Sequence, residues 1–264
     1  MRRRRGFTLV ELLVVIGIIA ALIAILMPAL SKARQQALTV KCASNLHNMG
    51  IGLTLYTNQF NAYPGHARFQ GGIAAIWPTR LRNLLNNDQG VFHCPAQEQG
   101  FEWQKTTSGG GASTFDSQYG YNPGEVLLDV FTVPFSYGYN DWGFQPSGQG
   151  GIPADEQLGL GGDIIPGSPA MKEVRMARVK KGSEMIAIAD NTCDGVWDYN
   201  IDPLPNQVPE WPGKIHNKGA NVLFCDGHVQ WYAQVELTNV GPPGGGTEAQ
   251  RNMRRMWNND NEPH

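Results

Sequence analysis

Residues 1–30 read MRRRRGFTLVELLVVIGIIAALIAILMPAL, and their reading decides the architecture. Arg2–Arg5 run directly into Gly6, and no polar side chain occurs between Leu12 and Met27. A helix needs about 20 apolar residues, at about 1.5 Å rise each, to cross the hydrocarbon core of a bilayer. This run is long enough. Glu11 is the one charge inside it, and an ionised side chain at membrane depth is costly enough to demand a partner. A secretory signal also puts basic residues before an apolar run, typically of about 7–15 residues, with small residues at the cut. Ser31-Lys32-Ala33 could serve as such a cut. A plain membrane anchor is the other ordinary reading. Neither accounts for a glutamate so early in the run, or for a glycine set between the arginines and the apolar residues.

Arg5-Gly6-Phe7-Thr8-Leu9-Val10-Glu11 resembles the class III leader of type IV prepilins and type II secretion pseudopilins. The resemblance implies cleavage between Gly6 and Phe7 by a membrane prepilin peptidase, which then methylates the new amino group of Phe7. It also implies that Glu11 pairs with the Phe7 ammonium of a neighbouring subunit as helices bundle. Each charge, costly alone in lipid, would then compensate the other. The implied partners are the peptidase and methyltransferase, other pilin or pseudopilin subunits, and the inner membrane.

The 264 residues could form one large domain or two small ones. Mean hydropathy is below zero despite the apolar run, so the rest of the chain must be hydrophilic. Arg2–Arg5 account for four of 21 Lys+Arg, against 23 Asp+Glu, so the chain beyond Arg5 is acidic. No basic tract is left to favour nucleic acid. The arginines instead act as a topology signal that stays on the cytoplasmic side. The expected location is the bacterial inner membrane, single-pass, with the N-terminus cytoplasmic, the rest periplasmic, and the chain in a filament after assembly.

The apolar spacing of Leu38, Cys42, Leu46, Met49, Leu53, Tyr56 and Phe60 predicts a water-soluble continuation of the helix, with Asn45 on another face. One helix from about Phe7 to Phe60, kinked at Pro28 and stopped by Tyr63-Pro64-Gly65, is therefore expected. The expected divisions are a leader over 1–6, a transmembrane and filament-core helix over 7–30, and an amphipathic helix over 31–60. A periplasmic head over 61–240 and a Gly/Pro linker with a polar tail over 241–264 complete the chain. Gly50 and Gly52 weaken a helix by about 1 kcal/mol each, which argues for close packing there. Within the head, a short helix begins near Trp77-Pro78, and Val91–Cys94 and Phe135–Asn140 read as strands. Met185–Ala189 reads as a buried strand. Ala220–Cys225 and His228–Tyr232 form a hairpin whose Asp226-Gly227 suits a two-residue type I′ turn. Met253, Met256 and Trp257 mark a short docking helix in the tail. The fold class is α+β: a long N-terminal helix on a loop-rich head with a small antiparallel sheet.

Four cysteines lie on the oxidising side of the membrane, and four cysteines allow three connectivities. Cys42 sits on the stripe facing the head, and Cys94 closes a strand able to pack on that stripe, so Cys42–Cys94 is the expected bridge. Cys193–Cys225, between the two late β segments, is a second. His216 precedes Asp226-Gly227 across nine residues, which resembles the H-X9-DG motif of a prepilin-type subgroup. Cys225 departs from it, standing where a small residue is usual. A strand of the length of 220–226 covers about 20 Å, so His216 and Asp226 should lie at its opposite ends. A structural role is expected: Asp226-Gly227 makes the turn and His216 holds the loop that enters it.

Asp190, Asp194, Asp198 and Asp202 form an acidic cluster in which Asp190, Asp194 and Asp198 could hold calcium, and the resemblance points the same way, since major pseudopilins hold calcium in their C-terminal region. The EF-hand spacing fails at Thr192 and Ile201, and a solvated acidic loop is the ordinary reading. No other cofactor is expected. Trp77, Trp103, Trp142, Trp197 and Trp211 could stack on sugars or simply pack. The chain contains no G-x-S-x-G, H-E-x-x-H or P-loop motif, so a non-enzymatic role is expected. The functional expectation is a pilin-like subunit that assembles into a type IV pilus-like or type II secretion pseudopilus filament. The alternative is a membrane-anchored periplasmic binding protein, with glycans as ligands, that retains a prepilin leader.

Overall fold

The computed structural model describes residues 8–70, 73–97, 120, 135–142, 158–161, 173–192, 198–204 and 210–264. Helix α1 runs from Leu9–Phe60 without interruption, passing through Pro28. Its start is a capping box: Thr8 Oγ1 accepts from the Glu11 amide, and Glu11 Oε2 accepts from the Thr8 amide at 2.9 Å. Its end is Asn61, at φ 55° in the left-handed region, whose amide donates to Thr57 O at 2.8 Å. Tyr63-Pro64-Gly65 therefore comes after the stop and does not make it.

The two halves of α1 live in different surroundings. Leu9 through Leu30 are exposed, whereas Cys42, Leu46, Met49, Leu53 and Tyr56 are fully buried against the head. Withdrawing each such side chain from water stabilises the contact by about 1.5–3 kcal/mol. Asn45 is also buried, contrary to its expected exposure, because its Nδ2 donates to His93 O at 2.8 Å and to the Tyr137 hydroxyl at 3.3 Å. Gly50 and Gly52 do mark close approach. A Cβ on Gly50 would lie 2.9 Å from Leu223 Cδ1, and one on Gly52 would lie 3.1 Å from Leu85.

A two-stranded ribbon, β1 (Ala67–Gln70) and β2 (Ile73–Ile76), leads into α2 (Trp77–Arg82), where Pro78 occupies the first turn. The main sheet contains β3 (Tyr137–Asn140), β4 (Ile186–Asp190), β5 (Asn200–Ile201), β6 (Gly219–Phe224) and β7 (Val229–Ala233), in the order β5-β3-β4-β6-β7. It is mixed and not purely antiparallel, because β3 and β5 pair in parallel. Val91–Cys94 is not a strand: residues Gln89–Phe92 form a 3-10 turn capped by Asp88, whose carboxylate accepts from the Gly90 amide at 3.0 Å.

Both faces of the sheet are covered. Leu223 and Ile188 pack toward α1, while Ala220, Val222 and Phe224 join Trp142 and Trp257 on the far side. This is why β4 and β6 are uninterrupted buried runs. The far cover is supplied by α3 (Gln234–Leu237) and α4 (Glu248–Trp257). Trp257 is fully buried, stacks on Trp142 at 6.1 Å, and donates to Leu237 O at 3.2 Å. Arg254 pins the segment before it by donating to Val240 O at 3.0 Å. The expected docking helix is present, and it is a layer of the head. The result is an α+β, pilin-like architecture: a long helix, half bare and half packed, on a head with a small mixed sheet.

Candidate functional site

The N-terminal segment is built around the first turn of α1. Gly6 and Phe7 lie outside the described residues. Glu11 Oε2 also accepts from the Thr8 hydroxyl at 2.8 Å, so its carboxylate sits over the first helical amides. A negative group there is favourable because the unpaired N–H groups give that end partial positive charge. The Thr8-x-x-Glu11 spacing announces this cap in the sequence, a local role for Glu11 that the resemblance to prepilins does not by itself suggest. Beyond it, Leu12, Leu13, Ile16, Ile19, Leu22 and Ile23 are all exposed. Among the described residues α1 is the one helix long and apolar enough to cross a membrane.

A second constellation lies where α1 meets the sheet. A disulfide joins Cys42, on α1, to Cys94, just after the 3-10 turn. His216 Nε2 lies 3.4 Å from Cys94 Sγ and 3.5 Å from Asp190 Oδ2, and all four residues are buried. Burial holds the His216 imidazole down at about 4, so it is neutral at physiological pH. Burial pushes the Asp190 carboxyl up to about 7, with hydrogen bonds from Asn221 working against it. Asp190 Oδ2 accepts from the Asn221 amide at 2.7 Å, whereas Oδ1 is buried with no hydrogen-bond partner. Asp198 accepts from the Phe135 amide at 3.2 Å, and Asp190 faces sulfur and imidazole, which are poor partners for a hard cation. Asp194 lies outside the described residues.

Cys225 carries a free thiol, which corrects the expected Cys193–Cys225 bridge. Its sulfur is engaged by a hydrogen bond with Tyr63, and burial raises the thiol well above its ordinary value. Cys193 lies outside the described residues. The hairpin turn also differs from expectation. The Gly227 amide donates to Phe224 O at 2.9 Å, and the Phe224 amide donates to His228 O at 3.0 Å. Only Gly227, at φ 93°, enters the positive region. The loop is therefore Cys225-Asp226-Gly227, a type I turn closed by a glycine bulge and not a type I′ turn. Asp226 Oδ1 accepts from the His228 amide at 3.1 Å. His216 stands at the other end of β6, where its amide and carbonyl both pair with Gly219 at 3.1 Å. Its side chain goes further than expected, reaching α1 at Thr39 Oγ1, 3.0 Å away. Trp77 and Trp142 are fully buried, and half-buried Trp211 donates to Leu204 O at 2.7 Å. Trp103 and Trp197 lie outside the described residues.

Asp141, Asp202 and Glu210 form a third, acidic group. Burial pushes Asp202 up to about 7, burial and then repulsion from Asp202 push Glu210 up to about 7, and burial followed by repulsion from Glu210 and Asp202 holds Asp141 well above the ordinary carboxylate range. In the folded head Asp202 is neutral through the pH range in which the unfolded chain has already ionised it. Its contribution to stability is thus fully present below about pH 4 and is lost as pH rises through about 7. Burial lowers the pKa of both the His93 and the His216 imidazole, which act in the opposite sense, so the effect is read against a variant. Asp202→Asn keeps an oxygen for the Leu204 amide. It is expected to raise the urea midpoint above wild type at about pH 8, with the gain disappearing toward about pH 4.5. A gain that is constant across that window would show that Asp202 is not the titrating group.

Residues 1–27 match the family model described as the prokaryotic N-terminal methylation motif. Neither the curated proteins nor the solved structures contain a match. That motif opens a helix that is exposed over its apolar half and packed over its second half, a combination that supports a prepilin-type protein of the pilin and pseudopilin kind.

Proposed function

We propose that the chain is a filament subunit, cleaved between Gly6 and Phe7, methylated on Phe7, and assembled with other pilins or pseudopilins into a type IV pilus-like or type II secretion pseudopilus filament. In this reading a prepilin peptidase acts at the inner membrane, Arg2–Arg5 stay cytoplasmic, and the head is periplasmic. One observation carries it: the methylation motif opens a single 52-residue helix whose apolar first half is exposed. Apolar side chains exposed all round a helix need lipid or other helices. A filament core supplies the second after the membrane supplies the first. The glycan-binding alternative loses two of its candidate stacking rings, since Trp77 and Trp142 are buried in the core.

Shearing separates these readings. The subunit is expected to co-sediment with sheared filaments and to disappear from that fraction when Gly6 is replaced by a bulky or charged residue. Recovery wholly in the membrane fraction, under conditions in which filaments are made, would favour the anchored binder.

A further inference from the structure

We propose that Cys42, Cys94, His216 and Asp190 form a tetrahedral site for a divalent transition cation of the zinc type in the reduced chain, so that this cation and the Cys42–Cys94 disulfide are alternative occupants of one buried site. The four ligand atoms all lie within 4.8 Å of one another. They arrive from α1, the segment after the 3-10 turn, the end of β4 and the loop before β6. Two thiolates, an imidazole and a carboxylate are a donor set suited to zinc and unsuited to calcium or magnesium.

The geometry is close to that of an occupied site. With Zn–S near 2.3 Å and Zn–N near 2.0 Å, the S···N edge of a tetrahedron comes to about 3.5 Å, and the N···O edge to about 3.4 Å. The corresponding distances here are 3.4 Å and 3.5 Å. The sulfurs, bonded to each other, must separate to about 3.8 Å, and the remaining ligand atoms stay within 4.8 Å of one another. The imidazole is already set for this role. The Thr39 hydroxyl donates to Gln35 O at 3.0 Å, leaving its lone pairs for the proton of His216 Nδ1, also at 3.0 Å. The bare Nε2 then points at Cys94 and Asp190. Orientation of a ligating histidine through its other nitrogen is the usual outer-shell device. Asp190 turns Oδ2 toward the imidazole, where the Asn221 amide holds it at 2.7 Å, and its other oxygen, Oδ1, is buried without a hydrogen-bond partner. A groove of about 560 Å³, lined by Lys32, Gln35, Thr39, Ala96, Ile215 and His216, gives a path to the imidazole side.

Loading requires the dithiol form. An external dithiol supplies two electrons to the Cys42–Cys94 bond and becomes a disulfide itself, or the newly exported chain is met before it is oxidised. The two thiol protons then leave as the cation binds. The test uses the full chain in detergent, reduced with a phosphine without oxygen and titrated with Co²⁺. The expected result is one Co²⁺ per chain, with thiolate-to-cobalt charge-transfer absorption and the strong visible bands of tetrahedral cobalt. Zn²⁺ should displace it and should protect Cys42 and Cys94 from alkylation, while the oxidised chain should give no such spectrum. Thr39→Val, which frees the imidazole ring, should weaken binding by about 10- to 100-fold. His216→Ala and Asp190→Asn should weaken it at least as much. A reduced wild-type chain that gives only octahedral cobalt bands, or that alkylates equally fast with and without Zn²⁺, would overturn the proposal, whether or not the variants fold. Equal Co²⁺ affinity in wild type and folded His216→Ala would overturn it too.

Discussion

Replacing Glu11 by glutamine is expected to leave the chain cleaved and inserted in the membrane but to remove it from filaments. Two roles of the side chain are separable by this substitution. As a cap, Glu11 offers Oε2 to the Thr8 amide and hydroxyl, and glutamine can offer the same oxygen. As a charge, it would pair with the methylated ammonium of Phe7 on a neighbouring subunit, and glutamine cannot. Breaking a buried ion pair leaves one charge stranded, which lowers an association by roughly a hundredfold or more. Incorporation into sheared filaments, assayed where this subunit is the dominant pilin, is the measurement. Glu11→Gln incorporating at wild-type level while Glu11→Ala fails would assign the residue to capping alone. Both incorporating normally would remove it from assembly altogether.

Loss of the Cys42–Cys94 bridge is the second large effect expected. The bridge spans a sequence separation of 52 residues and ties α1 to the head. The chain-entropy relation puts its contribution at about 4 kcal/mol for a loop of that size. Cys42→Ser, Cys94→Ser and the double variant should therefore lose similar amounts, since either single change removes the bond. Urea unfolding in the presence of a chelator checks this without interference from any bound cation. A double variant that loses less than about 1 kcal/mol would mean that the packing of Leu46, Met49 and Leu53 holds the helix unaided.

The helix was legible from the sequence because its signals are local. A basic cluster, an apolar run and then a stripe at spacings of three and four define α1 almost to its last residue. The misplaced details depend on partners distant in the chain. Asn45 looks like a surface residue until His93 O and the Tyr137 hydroxyl are brought over it. Val91–Cys94 has strand composition, yet the Asp88 cap winds Gln89–Phe92 into a 3-10 turn. The Asp226-Gly227 pair announces a hairpin, but its length is set by where Phe224 and His228 can still pair. Met185–Ala189 reads as a buried strand from its apolar run, and Ala220–Phe224 carries the same signal of covered faces, which its reading as a hairpin strand left unused; α1 and α4 cover them. The cluster of Cys42, Cys94, Asp190 and His216 was not legible, because no spacing rule joins residues so far apart that only the sheet and α1 bring them together.

The most direct test of the filament-subunit reading is mass spectrometry of the mature N-terminus, carried out on protein recovered from sheared filaments and from membranes. The expected N-terminal peptide begins at Phe7 and carries one methyl group on its amine in the filament fraction, with the unprocessed form beginning at or near Met1 confined to membranes. A mature N-terminus at Ser31 or Ala33 would contradict the reading, since it would show an ordinary secretory signal and leave no apolar helix for a filament core.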